Sequence, residues 1–415
     1  MEDVYYALNP WWENKTFDTG IEREAYLKGL QVPFKRKQIE VMVGSRRIGK
    51  TTFLKQLIKK CLGKNIPART ILYLALDHPR LSKTSLLEHL RLFRKIFLHS
   101  RGQKLYLFFD EVQENPHWET ELKSIYDLED VKILCTGSTS SLIQKQGGKL
   151  TGRQIVTTLY PLSFREFLEF KRTIPSQAED YQYERLFEEY LACGGYPENV
   201  LNPSPEYLNN LLDGIIARDI MRLYDIKRTS LLKDLLILLA SSVGTRVSFN
   251  KLSKTLGLAL DTVKDYIEYL ESAFLVKPME KWATSYKDKI YAQKKIYLYD
   301  TGIKTLLTGQ GDLGVKVENA LLVDLLKKGI SCGYYAESER EMDFVYGGVD
   351  SPCGIEAKYD VHFDWQDRRY SGVKLFLKKY PQTKRILIIS KRAEKEFREG
   401  KTKIRVIPAW KHFLK

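Results

Sequence analysis

The chain has 415 residues, 43% of them hydrophobic, and none of its apolar runs approaches the ~18 residues of a membrane span, so the expectation is two or three buried cores and no membrane. Lysine plus arginine number 67 against 52 acidic residues, a net charge of +15. That balance suits a polyanionic partner such as DNA, because phosphate neutralisation releases counterions, although a generally basic proteome would produce it too. Cys61, Cys135, Cys193, Cys332 and Cys353 lack metal-binding spacing, and Met1 to Phe17 lacks a charged-then-apolar signal pattern, which predicts a reducing cytoplasm.

In chain order, residues 1–162 alternate apolar strands with amphipathic helices, which predicts an α/β domain with a mostly parallel sheet. Its strands are expected near 39–43, 71–76, 105–109, 131–135 and 155–159. Between the first strand and a helical run from Thr52 stand Gly44, Ser45, Arg46, Arg47, Ile48, Gly49, Lys50 and Thr51, which fit G-x-x-x-x-G-K-[ST] at every fixed position. Phe53, Leu54, Leu57, Ile58, Cys61 and Leu62 share one face of that helix. Backbone N–H groups of such a loop cradle phosphates, the lysine adds a point charge, and the Thr51 hydroxyl falls where it can ligate Mg²⁺. The residues from Gly44 to Thr52 are therefore expected to bind a nucleoside triphosphate, ATP, with Mg²⁺.

Leu105-Tyr-Leu-Phe-Phe109 reads as a buried strand that delivers Asp110 and Glu111 at its end. Asp110 would hold the metal and Glu111 would orient or deprotonate the attacking water. A fourth apolar run, Val131 to Cys135, leads into Thr136-Gly-Ser-Thr-Ser140, where Thr136 or Ser138 is expected to read the γ-phosphate.

A helix-rich stretch follows from Ser163 to about Lys227, broken by Gly194-Gly-Tyr-Pro197 and Asn202-Pro-Ser-Pro205. From Ser230 to about Tyr299 the pattern is a core helix over Leu231–Ala240, a short helix over Phe249–Leu256 closed by Gly257, and a third helix over Thr262–Glu271 capped by Asp261. With strands at Phe274–Met279 and Lys295–Tyr299, this predicts a winged helix-turn-helix. Lys281, Lys287, Lys289, Lys294 and Lys295 are its expected DNA-phosphate contacts. In the last domain, the strand Glu341–Tyr346 presents Asp343, and Cys353–Lys358 presents Glu356 and Lys358 on one face. Two carboxylates with a lysine beside them can hold a divalent metal and steady an attacking water, with Glu318 on the preceding helix as a further ligand. A surface strand with Glu-x-Lys alternation is the bland alternative. A helix over Tyr359–Tyr380 and a strand at Arg385–Ile389 are expected to complete an α/β/α sandwich.

The phosphate loop, Asp110-Glu111, Leu159-Tyr-Pro-Leu-Ser-Phe-Arg-Glu-Phe167, Gly194-Gly-Tyr-Pro197, Glu341-Met-Asp343 and Ile355-Glu-Ala-Lys358, in this order, resemble the prokaryotic AAA-type ATPases with a C-terminal DUF4143 domain. The resemblance covers nearly the whole chain. It implies a P-loop ATPase core over 1–162, a helical lid over 163–229, a winged helix over 230–300 and a PD-(D/E)xK nuclease-like domain over 301–415. It further implies that Arg153, or less directly Arg218-Asp219, supplies an arginine finger or sensor in a homo-oligomer. The expected activity is Mg²⁺-dependent ATP hydrolysis coupled to DNA binding or processing, with Asp343, Glu356 and Lys358 as nuclease residues. The alternative is an ATP-dependent switch that binds protein partners through an inactive nuclease fold.

Overall fold

The computed structural model describes residues 1–415 apart from 31, 33, 35, 140–146, 174–178, 227 and 415. Ser140 of the predicted sensor run and Lys227 at the end of the predicted helical stretch lie outside the described residues. The chain forms two compact units, Met1–Leu159 and Tyr160–Lys415.

The first unit is built on five strands, β1 (Ile39–Val43), β2 (Ile71–Ala75), β3 (Leu105–Asp110), β4 (Val131–Gly137) and β5 (Gln154–Thr158). They run in the order β2-β3-β4-β1-β5, and every pairing is parallel. β4 thus separates the strand that precedes the phosphate loop from the strand that ends in Asp110. β4 is buried along its whole length and β3 at all but one position, as continuous apolar runs should be in a sheet covered on both faces. Helices Lys50–Gly63, Leu86–Phe97 and Trp118–Leu128 supply the cover. The edge strand β2 is closed by side chains. The Asn9 amide accepts from Tyr73 N–H at 2.7 Å and donates to Tyr73 O at 3.0 Å, and the indoles of Trp11 and Trp12 both donate to Ile71 O.

The second unit opens with helices Phe164–Phe170, Asp180–Cys193, Pro197–Leu201 and Pro205–Gly214. Ser163 and Glu166 close the first of these with reciprocal capping bonds. The Gly194-Gly-Tyr-Pro turn is a packing device: Gly195 N–H donates to Asp300 at 2.6 Å, and a Cβ on Gly195 would stand 2.6 Å from backbone atoms of Leu162. There follow helix Thr229–Ser241, β6 (Arg246–Val247), helices Phe249–Leu256 and Leu260–Ser272, β7 (Val276–Met279) and β8 (Lys294–Leu298), the strands forming an antiparallel sheet β6-β8-β7. Gly257 ends the second helix in the left-handed region, as expected. The third helix begins earlier than predicted: Ala259 takes the capping position and Asp261 lies within the first turn.

After helices Thr301–Thr308 and Leu313–Lys327, the chain forms β9 (Cys332–Glu337), β10 (Arg340–Tyr346), β11 (Cys353–Ala357), β12 (Arg385–Ser390), β13 (Lys395–Glu399) and β14 (Thr402–Pro408). Their order is β13-β14-β12-β11-β10-β9, with β11, β12 and β14 parallel and the rest antiparallel. Val373, Phe376 and Leu377 of one helix, with Tyr370 just before it, pack against Met342, Val345, Ile386, Ile388, Ile404 and Val406 of the sheet. The predicted helix Tyr359–Tyr380 shrinks to Ser371–Lys379. The physical cause lies in Asp360, Asp364 and Asp367, whose carboxylates accept N–H groups one or two residues ahead and so hold the chain in turns.

Candidate nucleotide site and acidic site

At the end of β1 the chain must turn tightly under the end of β5. A Cβ on Gly44 would stand 2.5 Å from Leu159 O, so only glycine fits there. Ser45 and Ile48 are buried, Arg46 and Gly49 half-buried, and Arg47 exposed. Lys50 opens the helix and is 4% exposed, its Nζ donating to Gly44 O at 3.0 Å and Ser45 O at 3.1 Å and standing 3.5 Å from Glu111 Oε1. The ammonium therefore rests mainly on neutral carbonyls of its own loop. Thr52 follows, half-buried, on the same helical turn.

Asp110, 4% exposed, receives three hydroxyls: Thr51 at 2.6 Å and Tyr73 at 2.9 Å on Oδ2, and Thr136 on Oδ1. Burial, followed by the neighbouring Glu111, raises its pKa, and the three donors only partly offset this. Glu111 is driven up by burial, but Lys50, Gln113 and Arg46 together more than offset this and lower its pKa below the ordinary value. Its backbone is left-handed, φ 51°, a conformation that costs a non-glycine residue free energy and is held here by a bond from its N–H to Thr136 Oγ1 at 2.9 Å. Gln113 donates to Glu111 Oε2 at 2.6 Å and to Ser138 Oγ at 3.3 Å. A hydroxyl and a carboxylate adjoining the loop's helix form a donor set suited to Mg²⁺, which favours oxygen ligands. Tyr73 and Gln113 escaped the sequence reading. Tyr73 betrays itself only through strand register, being two residues from Ala75, the partner of Asp110.

Arg153 sits just before β5, paired with Asp127 at 2.9 Å on the surface of the same unit. Arg218 is exposed on a π-helical segment, Ile215–Met221, and Asp219 beside it is buried.

The predicted residues of the second constellation do come together. Asp343 and Glu356 stand on adjacent strands, β10 and β11, in the interior of the sheet and not at its edge. Glu356 Oε2 accepts Asp343 N–H at 3.0 Å, Asp343 Oδ2 accepts Ala357 N–H at 2.9 Å, and Lys358 Nζ stands 2.6 Å from Glu356 Oε1. The centre they border, however, is taken by Lys295 of β8. Its Nζ lies 3.2 Å from Glu341, 3.3 Å from Asp343 and 3.3 Å from Glu318, and its side chain is 2% exposed. Tyr297, two residues along the same strand face, donates to Glu318 Oε1 at 2.6 Å, and Arg246 pairs with Glu341 at 2.5 Å. Burial raises the carboxyls of Glu318 and Glu356 to about 7. Asp343 is likewise driven up by burial, but Lys358 and Lys295 more than reverse this and leave it low. Burial alone would lower Lys295, and the surrounding carboxylates raise it instead.

Two expectations are corrected by this arrangement. Lys295 is no surface phosphate contact, because it is buried among carboxylates. Glu318, Asp343 and Glu356 do not fit a divalent metal as they stand, since an ammonium holds the centre and both Asp343 oxygens are engaged. Among the described residues no group of three or more His, Cys, Asp or Glu side chains is arranged to hold a metal ion. Lys295 and Tyr297 were missed as site residues because the basic run Lys294-Lys295 reads as a surface charge pair, although period two sets Lys295 and Tyr297 on one face.

Residues 36–168 match the model of a family described as an AAA domain, and residues 184–314 match a domain of unknown function, DUF8612, where the motifs had suggested DUF4143. Together with the parallel sheet and the loop geometry, the first match supports an AAA-type P-loop domain over residues 36–168. An uncharacterized protein of Haemophilus influenzae is 27% identical over 82% of this chain and 87% of its own length; an uncharacterized protein of Methanocaldococcus jannaschii is 27% identical over 85% and 81%. Among solved structures, the S. cerevisiae Hsp104–ADP complex aligns at 15% identity and a TM-score of 0.34, over 65% of this chain and 40% of that one. Among the described residues no helix is long and apolar enough to cross a membrane.

Proposed function

We propose that the protein is an Mg²⁺-dependent ATPase of the cytoplasm whose hydrolysis cycle switches the state of its second unit. The observation that carries this reading is the contact of Thr51 with Asp110 at 2.6 Å, which sets a hydroxyl, a buried carboxylate and the neighbouring Glu111 beside the phosphate loop. The loop amides from Gly44 to Thr52 and the Lys50 ammonium bind phosphate oxygens, Lys50 leaving the carbonyls of Gly44 and Ser45 to do so. When bound to Thr51 and Asp110, Mg²⁺ supplies charge neutralisation at the transferred phosphoryl group. Glu111, oriented by Gln113, draws a proton from the attacking water. Thr136 fixes Asp110 to Glu111, so that Ser138 is the better candidate for sensing the γ-phosphate. Arg153, released from Asp127, completes the site of a neighbouring copy in a homo-oligomer.

In the second unit we read 163–229 as the lid, 230–300 as a winged helix and 301–415 as a nuclease-like fold; the strand and helix order supports each. DNA is the partner that the net charge of +15 and exposed Lys287 favour. The Lys295 cluster favours the switch over the nuclease, with Asp343, Glu356 and Lys358 not catalytic as they stand. An ATPase assay tests the core reading: Lys50→Ala should lose nucleotide affinity and Glu111→Gln should retain it without turnover. Undiminished turnover in both would overturn the site assignment. An electrophoretic shift that fades with salt tests DNA, and its absence at low salt leaves a protein partner.

A further inference from the structure

We propose that Lys295 is the resident cation of the acidic site, a side chain standing where a divalent metal would otherwise bind, and that the sheet carrying it acts as a lid over the nuclease-like fold. The inference rests on reading 301–415 as that fold. An ammonium has three hydrogens, and Lys295 meets three carboxylates, Glu318, Glu341 and Asp343, all within 3.3 Å. It donates hydrogen bonds to Glu318 and Asp343 and pairs by charge with Glu341. Mg²⁺ demands oxygen ligands at ~2.1 Å in near-octahedral array and cannot share that centre with Nζ. Most of the remaining oxygens are engaged or crowded too. Arg246 takes Glu341 Oε1, Ala357 N–H takes Asp343 Oδ2, Lys358 and Asp343 N–H take Glu356, and the chain at Gly244 is so close that a Cβ there would stand 2.9 Å from Glu318 Oε2.

The lid is seated by backbone as well as by charge. Trp282 N–H donates to Tyr334 O at 2.7 Å and Tyr334 N–H donates to Glu280 O at 3.1 Å, so the chain beyond β7 extends the β9 edge of the large sheet. Tyr334 O–H returns a bond to Gln293 O, just before β8. Withdrawing Lys295 therefore requires peeling 280–282 from β9, which couples the acidic site to the position of the three-stranded module. A metal would enter only after that movement.

The test counts Mn²⁺ bound to the full chain, without nucleotide, by electron paramagnetic resonance. Wild type and Asp343→Asn should bind the same number of ions, Lys295→Gln should bind one more, and Lys295→Gln combined with Asp343→Asn should lose the extra ion. Loss of an ion on Asp343→Asn alone would show that metal already sits beside Lys295 and would overturn the proposal. So would a folded Lys295→Gln that gains none. If Lys295→Gln is too unstable to titrate, its melting temperature decides: a rise of ~5 °C or more with Mn²⁺, absent in wild type, supports the proposal, and no rise overturns it. Plasmid nicking is scored separately. Gained Mn²⁺ without nicking supports the resident cation while removing the nuclease reading.

Discussion

The phosphate loop and the acidic site share ingredients, a buried lysine beside an aspartate and a glutamate, yet they hold the lysine in opposite ways. Lys50 leans on two neutral carbonyls of its own loop, with Glu111 at 3.5 Å. Phosphate oxygens can replace such partners at little cost. Lys295 arrives from a different strand and is held by three carboxylates, so a replacement must bring comparable positive charge to a centre whose own lysine is 2% exposed. What separates a site ready for ligand from one closed by the chain is thus the charge and origin of the lysine's partners more than the residue types.

The sharpest break in the comparison is kinetic. Glu111→Gln should lower ATP turnover ~10²-fold or more while nucleotide affinity persists, because a general base is removed and the phosphate contacts remain; single-turnover hydrolysis with equilibrium nucleotide binding checks it. Next comes stability. Lys295→Met should destabilise the second unit by about 3–5 kcal/mol through uncompensated buried carboxylates, whereas Lys50→Met should cost less, about 1–2 kcal/mol, since it leaves two carbonyls and a single carboxylate, Glu111, without their cation. Urea unfolding of both variants measures the contrast, and equal losses would erase it. Tyr73→Phe removes one of the three hydroxyls on Asp110 and should cost about 1 kcal/mol, with a raised Mg²⁺ requirement in the ATPase assay. The smallest effect belongs to Asp127→Asn, whose pair with Arg153 is exposed: an unchanged melting temperature is expected, together with ATPase activity that no longer falls, or falls less, on dilution.

The sequence made the candidate nucleotide site legible because its parts are consecutive: Gly44 to Thr51 and Asp110-Glu111 stand out by spacing alone, and the five strands near them follow from mainly apolar, β-branched runs, the weakest being Gln154–Thr158. It also gave Asp343, Glu356 and Lys358 as neighbours, since alternation and one hairpin loop suffice. It could not reveal Lys295, whose partners Glu318, Glu341 and Asp343 lie 23 to 48 positions further on and meet it only through tertiary packing. The over-long helix at Tyr359–Tyr380 failed for a local reason, the competition of Asp360, Asp364 and Asp367 for backbone amides.

Asn9, Trp11 and Trp12 satisfy the outward carbonyls of Ile71 and Tyr73 and the Tyr73 N–H, acting together as a strand made of side chains. A chain trimmed at its first fifteen or so positions would keep every residue of the phosphate loop and still present β2 as a bare template on which further copies could stack. Its failure in the laboratory would then take the form of precipitation, and the remedy would be to restore an asparagine and two tryptophans that never touch the nucleotide.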